Sequence, residues 1–410
     1  MAKSYVVPRR GLEPPRLSAL VPETSASTNS ATWAFATAFV SSARGDGRSR
    51  RYVESARRLV NRRDRRSPQP EAPIPYTAQS RSCISPRMAL RNKLETLVAV
   101  FGGSGFLGRH VVRALAKRGY RVRVAVRRPE LAGYLQPMGR VGQIHAVQAN
   151  LRYPESVTAA VRDADVVINL VGILFERGRQ RFDAVMTAGA QTVARAAQAV
   201  SAPLIHVSAI GADEKSSSRY AQAKAEGERL VVAAHQATVI VRPSIIFGPE
   251  DDFFNRFAAL ARLAPALPLV GGGHTRMQPA FAGDVAEAIA RAVDGDLRSG
   301  FVYELGGPGV RTFKELMQFV LATTQRRRLL VPVPFALMKL QAMLLQFLPK
   351  PPITPDQVEL LKRDNIVSEE AKRDGRTLES LGITPESIEA IVPTYLWRFR
   401  KTGQFNPHVA

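Results

Sequence analysis

A chain of 410 residues, 45% of them apolar, has room for two domains and a full hydrophobic core, which excludes a wholly disordered or fibrous protein. Its formal net charge of +23 is uneven: residues 1–87 hold 16 Lys/Arg against 6 Asp/Glu, leaving +13 for the remainder. No stretch of about 18 residues is uniformly apolar, so no spanning helix is expected, and one cysteine, Cys83, forms neither an internal disulfide nor a cysteine metal site.

The first 90 residues read as a basic extension outside the fold. They are rich in Arg, Ser, Pro and Ala without sustained periodicity, and the run RSRRYVESARRLVNRRDRRSPQP ends in prolines. The apolar patch Trp33 to Val40 is too short to cross a bilayer. Translation beginning at Met88 is the plainest reading; a disordered tail and an Arg- and Ser-rich targeting segment are the alternatives.

From Leu94 short apolar runs alternate with helical patterns: LVAVFG, GRHVVRALAKRG, YRVRVAVRR, QIHAVQAN, PESVTAAVRD, ADVVINLVGI, AGAQTVARAAQAV, PLIHVSAI, SRYAQAKAEGERLVVAA and TVIVRPSIIFG. Strands apolar on both faces, separated by roughly 10–15 helical residues, require a parallel sheet with crossovers. The expected class is α/β, a doubly wound parallel Rossmann sheet over residues 94–300, with a smaller helix-rich region over 301–405. Beyond Gly248 the helix candidates are FAGDVAEAIARAV, TFKELMQFVLATT and FALMKLQAMLLQFL. Thr354-Pro355-Asp356-Gln357 and Thr384-Pro385-Glu386 read as two further helix starts, each a cap followed by proline.

The first strand runs into Gly102-x-x-Gly105-x-x-Gly108 and then a helix. The glycines permit a tight turn, close approach of backbone to a pyrophosphate, and close helix–sheet packing. Ser104, Phe106 and Leu107 share that turn and the helical N–H groups that face phosphates. Arg127 and Arg128 end the second strand, where two guanidiniums favour a ribose 2′-phosphate; NADP(H) is therefore preferred over NAD(H). Asn150 and Leu151 follow the third strand on the adenine side, and Val171 and Gly172 follow the fourth as a small-residue floor. Pro243 and Ser244 end the sixth strand at the same crevice.

Ser208 ends the fifth strand, and Tyr220 and Lys224 follow on the next helix in the spacing Y-x-x-x-K, on one helical face. In a hydride transfer the phenol exchanges the proton on the substrate oxygen and the serine orients that oxygen. The lysine lowers the phenol's pKa and holds ribose hydroxyls. The same three groups clamp a ribose without turnover. His274, in the Gly271-Gly272-Gly273 run that reads as a flexible loop, is expected to be solvated. The six histidines lack zinc-ligand spacing. Charge alone suggests nucleic acid, but it concentrates in the leader without interleaved aromatics, and no nucleic-acid partner is expected.

GGSGFLG, the Ser208/Tyr220/Lys224 set, RPSIIFGPEDDF and AGDVAEAI together resemble the extended or atypical branch of the short-chain dehydrogenase/reductase superfamily. HVSAIGADEKSSSRYAQAKAEGE and the tail VPTYLWRFRKTGQF are similar to the NAD(P)H-binding accessory subunits of respiratory complex I and their bacterial relatives. That resemblance implies a tightly held NADPH with a structural role and docking to complex I or another membrane quinone enzyme. The site would be cytoplasmic at the bacterial inner membrane, or the matrix side of the mitochondrial one. It also implies that Gly102, Gly105, Gly108 and one of Arg127 and Arg128 hold the nucleotide, with Ser208, Tyr220 and Lys224 beside the nicotinamide ribose. The family's aspartate is absent at Asn150. The competing function is an active NADP-dependent reductase, dehydrogenase or nucleotide-sugar epimerase. Phe335 to Leu348, interrupted only by Lys339, Gln341 and Gln346, must be covered by its own domain, a partner or an anionic membrane surface.

Overall fold

The computed structural model describes residues 92–348, 351–401 and 403, so the expectations for the leader, Cys83 and Met88 lie outside the described residues. Each apolar run ahead of a helical pattern becomes a strand: β1 (Leu97–Phe101), β2 (Arg121–Val126), β3 (Ile144–Gln148), β4 (Val166–Asn169), β5 (Leu204–Val207) and β6 (Thr238–Pro243). Four short strands follow, β7 (Ile246–Phe247), β8 (Ala266–Val270), β9 (Arg276–Met277) and β10 (Ala280–Phe281), and then β11 (Val302–Leu305). The principal sheet has the order β3-β2-β1-β4-β5-β6-β11, with every pair parallel. The chain leaves β1 toward one edge and returns through β4 toward the other, so the sheet is doubly wound with its switch point between β1 and β4.

The helices are α1 (Phe106–Lys117), α2 (Pro154–Val161), α3 (Ala188–Ala199), α4 (Arg219–Ala234), α5 (Phe254–Leu263) and α6 (Ala282–Asp294). Alternate residues of β1 face opposite layers. Val98 and Val100 pack with Val111, Leu115, Val285 and Ile289 of α1 and α6. Ala99 and Phe101 pack with Val157, Val193 and Val231 of α2, α3 and α4. Both faces are therefore covered, which is why these strands carry continuous apolar runs.

Strand β11 lies beyond residue 300, inside the stretch assigned from sequence to the helix-rich region, and the described residues fall in one compact unit with no division there. Its pattern is Val-Tyr-Glu-Leu, an edge strand in which Tyr303 and Leu305 are buried while Glu304 lies near Arg242. That alternation lacks the apolar signature of the central strands.

The remaining elements are β12 (Arg311–Thr312), α7 (Phe313–Thr323), β13 (Leu329–Val333), α8 (Phe335–Leu345), α9 (Pro355–Leu360), α10 (Glu369–Arg373), α11 (Ile388–Ile391) and α12 (Pro393–Leu396). A second core of Phe254, Leu267, Phe313, Leu316 and Leu396 joins α5, β8, α7 and α12. Strand β13 pairs in parallel with β8, so the sequence RRRLLVPVP is an ordered strand preceded by arginines. Thr354 builds the expected capping box with Gln357. The expected helix start at Thr384 is corrected: α11 begins at Ile388, capped by Ser387. The Glu386 N–H donates instead to the Asp284 carboxylate at 2.8 Å, which anchors the preceding segment outside the helix. The glycine run is corrected as well. Gly271, Gly272 and Gly273 all have positive φ and form a packed turn against Phe335 and Lys314, while His274 is exposed.

Candidate functional site

The crevice at the β1/β4 switch point begins with the glycine turn. Gly102 sits at φ +77, and a Cβ there would come within 3.3 Å of Val171 Cγ2, so the β1 and β4 exits touch. A Cβ on Gly108 would overlap the Gly102 carbonyl oxygen, which fixes glycine where α1 crosses the turn. Helix α1 is preceded by Gly105, which offers no side-chain cap, whereas α4, α7 and α9 are capped by Ser218, Thr312 and Thr354. The first-turn N–H groups of Phe106, Leu107 and Gly108 therefore have no intrahelical or capping acceptor, the condition under which a helix terminus binds phosphate. The Tyr134 hydroxyl donates to the Ser104 carbonyl at 2.6 Å, and the Arg109 guanidinium lies 5.2 Å from the Tyr134 ring. Tyr134 was not singled out from sequence, because nothing local ties it to the turn.

Arg127 and Arg128 follow β2, both exposed and without an ion pair among the described residues. Asn150 shapes its own turn: its Oδ1 accepts from the Arg152 N–H at 3.2 Å, and its carbonyl accepts from Ser156 Oγ. Leu151 points into the core against α3, 9% exposed. At the end of β4 the buried Asn169 holds the Val171 N–H through Oδ1 and reaches His206 Nδ1 through Nδ2 at 3.2 Å. Burial, reinforced by the nearby Lys224 charge, depresses the His206 pKa to about 3, so the ring is neutral.

Lys224 is buried, and its ammonium donates to the Val207 carbonyl at 3.1 Å, one residue before Ser208. The same nitrogen lies 3.5 Å from where a Cβ on Gly172 would stand. Glycine at 172 thus keeps the amine open to the crevice. Ser208 Oγ is buried and has no hydrogen-bond partner among the described residues. Tyr220 packs edge-on to Phe182, with ring centroids 6.0 Å apart. The structure therefore gathers Gly102, Val171, Gly172, Ser208 and Lys224 around one crevice.

One sequence expectation reverses. The phenol of Tyr220 is pushed up to about 12 by burial and then by the Asp356 carboxylate, rather than down by lysine. Burial conversely lowers Lys224 to about 8, with Glu228 opposing the shift. Near neutral pH Tyr220 is therefore a protonated phenol able to donate a hydrogen bond, and Lys224 a desolvated amine.

Asp356 is the functional neighbour that sequence reading missed. From α9 its carboxylate accepts from Ser218 Oγ at 2.9 Å, the Arg219 N–H at 2.6 Å and the Tyr220 N–H at 3.2 Å. Adjacent ties follow along the same segment: Glu359 with Ser217, Arg363 with Asp213, and Asn365 with Ile210, Ser244 and Ile245. The Ser244 hydroxyl, expected at the cofactor crevice, is committed to Asn365 Oδ1 at 2.6 Å. Pro243 accepts the Ile210 N–H through its carbonyl. The only signal for this strap was the capping box at Thr354.

An uncapped helix N-terminus above a glycine turn, at the switch point of a doubly wound sheet, with Ser208 and Lys224 at the far side, defines a dinucleotide-binding protein of the short-chain dehydrogenase type. Residues 98–306 match the model of the NAD dependent epimerase/dehydratase family, and the chain belongs to that family. Several of its relatives carry the names of mitochondrial NADH:ubiquinone oxidoreductase subunits. The chain is 34% identical to the NADH dehydrogenase [ubiquinone] 1 alpha subcomplex subunit 9 of Arabidopsis thaliana, over 76% of this chain and 80% of that one. It is also 39% identical to the ceramide reductase of Caulobacter vibrioides over 174 residues, 42% of this chain and 54% of that one. Among solved structures, the Escherichia coli NADPH-dependent quinone oxidoreductase, complexed with NADPH, superposes with a TM-score of 0.58 at 18% identity. It covers 73% of this chain and 99% of that one.

Proposed function

We propose that this protein holds NADP(H) chiefly as a structural cofactor and serves as an accessory or assembly subunit of a membrane-bound NADH:ubiquinone oxidoreductase or a related quinone system. The observation that carries the cofactor half is the uncapped, glycine-built start of α1 facing Lys224 and the unpartnered Ser208 hydroxyl across the switch point. When bound, the nicotinamide supplies hydride chemistry. The chain's own part is to bind and orient. Amides of Phe106 and Leu107 receive the pyrophosphate, and Arg127 and Arg128 favour a 2′-phosphate. Lys224 and Tyr220 donate to ribose hydroxyls, and Ser208 donates to or accepts from the group beside them. The strap from Asp356 to Asn365 supports the structural half of the reading, since it ties the helix bearing Tyr220 and the β6 exit to the C-terminal region. The family relationship to complex I subunits supports the assembly half.

Purified full chain is expected to carry NADPH through gel filtration, identified after acid or heat release, and to recover respiratory subunits from detergent-solubilised membranes. Protein that arrives empty and binds neither NADPH nor NADH overturns the cofactor reading. Failure to recover any respiratory subunit overturns the assembly reading.

A second reading, an active NADP-dependent reductase, dehydrogenase or nucleotide-sugar epimerase, is favoured by one observation: Ser208 Oγ stands buried and uncommitted beside the Lys224 amine. In that case Tyr220, protonated up to about pH 12, donates its proton to the carbonyl oxygen being reduced. Oxidation of bound NADPH by an added carbonyl substrate, lost in Tyr220→Phe, would shift the assignment to this reading.

A further inference from the structure

Helix α8 buries one stripe and leaves the opposite one bare. Met338 and Ala342 are buried against Val270 and Val358, and Lys339 is held by Glu359 at 2.7 Å. On the other side Leu337, Leu340, Met343, Leu344 and, just beyond the helix, Phe347 are exposed, Leu344 by 71% and Phe347 by 84%. Leu337, Leu340, Leu344 and Phe347 follow the spacing of a single helical stripe, with no charged residue among them. The sequence alternative of burial inside the C-terminal region is thus corrected: this region takes in only the Met338/Ala342 side.

The charge at the start of the strand leading into α8 is of one sign. Strand β13, which leads into α8, exposes Leu329 and Val331 and is preceded by Arg326, Arg327 and Arg328. Arg328 donates to the Ala261 carbonyl, which brings it to the end of α5 beside Arg262 and the exposed Leu263. Burial lowers the Arg326 pKa, and the neighbouring Arg328 and Arg262 charges lower it further, as expected of crowded like charges. None of these four arginines pairs with a carboxylate among the described residues. The five residues of β13 span about 17 Å, so arginines and apolar helix lie within one docking footprint.

We propose that α8, with β13 and the arginines at its start, docks on an anionic lipid bilayer. An in-plane helix of about 16 Å puts its bare stripe below the headgroups while adjacent guanidiniums pair with lipid phosphates. The usual polar face of such a helix is replaced here by the protein itself, which fixes its orientation. A protein partner would need an apolar groove ringed by acid; a bilayer supplies both features at once. The inference extends the membrane association of the proposed function but needs neither cofactor nor respiratory partner.

The test is flotation of purified full chain with vesicles of phosphatidylcholine alone or mixed with phosphatidylglycerol. Wild type is expected to float with the anionic vesicles and to be released by salt. Leu340→Glu/Leu344→Glu is expected to weaken that binding on the order of tenfold or more, and Arg327→Glu several-fold, about as one headgroup contact predicts. All variants keep the basic leader, so the difference reports the α8 face. Bound NADPH, measured in the same fractions, is expected to be unchanged, which separates this test from that of the cofactor. Wild type that ignores both vesicles overturns the proposal, as does Leu340→Glu/Leu344→Glu protein that floats equally well. A concentration-dependent dimer abolished by the same substitutions, without lipid binding, assigns the face to a second copy instead.

Discussion

Lys224 and Tyr220 were legible as a pair from their spacing, but their electrostatics were not. Proximity in sequence suggests an ammonium stabilising a phenolate; the folded chain instead buries Lys224, partly buries Tyr220 and sets the Asp356 carboxylate near the tyrosine, so each pKa moves toward its neutral form. A clamp built this way leans on the amine more than on the hydroxyl. Lys224→Ala is expected to weaken NADPH binding about ten- to a hundredfold, as loss of a charged donor does, and Tyr220→Phe by no more than about threefold. Titration by nucleotide fluorescence measures both; a larger loss in Tyr220→Phe would make the hydroxyl the anchor. A second residue offers a pH test. Burial raises the Asp284 carboxyl to about 6, against the opposing hydrogen bond from the Glu386 N–H. Its folded pKa exceeds its unfolded value of about 4, so its contribution is complete below pH 4 and is lost as pH rises through 6. Asp284→Asn keeps an acceptor for Glu386 and should gain stability relative to wild type between pH 4 and 7, by up to about 3 kcal/mol. Denaturant midpoints at both pH values check the sign.

Among the elements, α1 to α4 were readable because each is a local pattern between two apolar strands. Helix α4 shows where local reading stops. Its cap, Ser218, lies three residues before Ala221, whose N–H it accepts, but the carboxylate that completes its N-terminus arrives from α9. Asp356→Ala is expected to cost about 1–2 kcal/mol, the worth of a helix cap and a charge at the positive end of the helix dipole. Amide exchange at Arg219 and Tyr220 should quicken ahead of the rest of α4. Uniform exchange along the helix would show that Asp356 acts elsewhere. Helix α8 shows the converse limit. Its apolar character was plain, yet which stripe is covered depends on Val270, far from it in the chain, and on Val358 of the following helix.

At the scale of the molecule, two strands at the switch point make the crevice. Gly102 and Val171 meet because β1 and β4 are neighbours in the sheet, although they are separated in the chain by two further strands. The doubly wound class and six of its seven principal strands were set by apolar periodicity, which near neighbours impose through the need to cover both sheet faces. The glycine turn was likewise legible, since a strand–turn–helix junction is local. The folded arrangement alone decided the edge position of β11, the strap over α4 and the bare face of α8. Asp356 reaches Ser218 across 138 residues and Asn365 reaches Ser244 across 121, and no short-range pattern announces such pairs. A residue's immediate neighbours dictate whether it enters a helix or a strand. What stands opposite it, and therefore its charge state and its use, is settled when distant segments pack together.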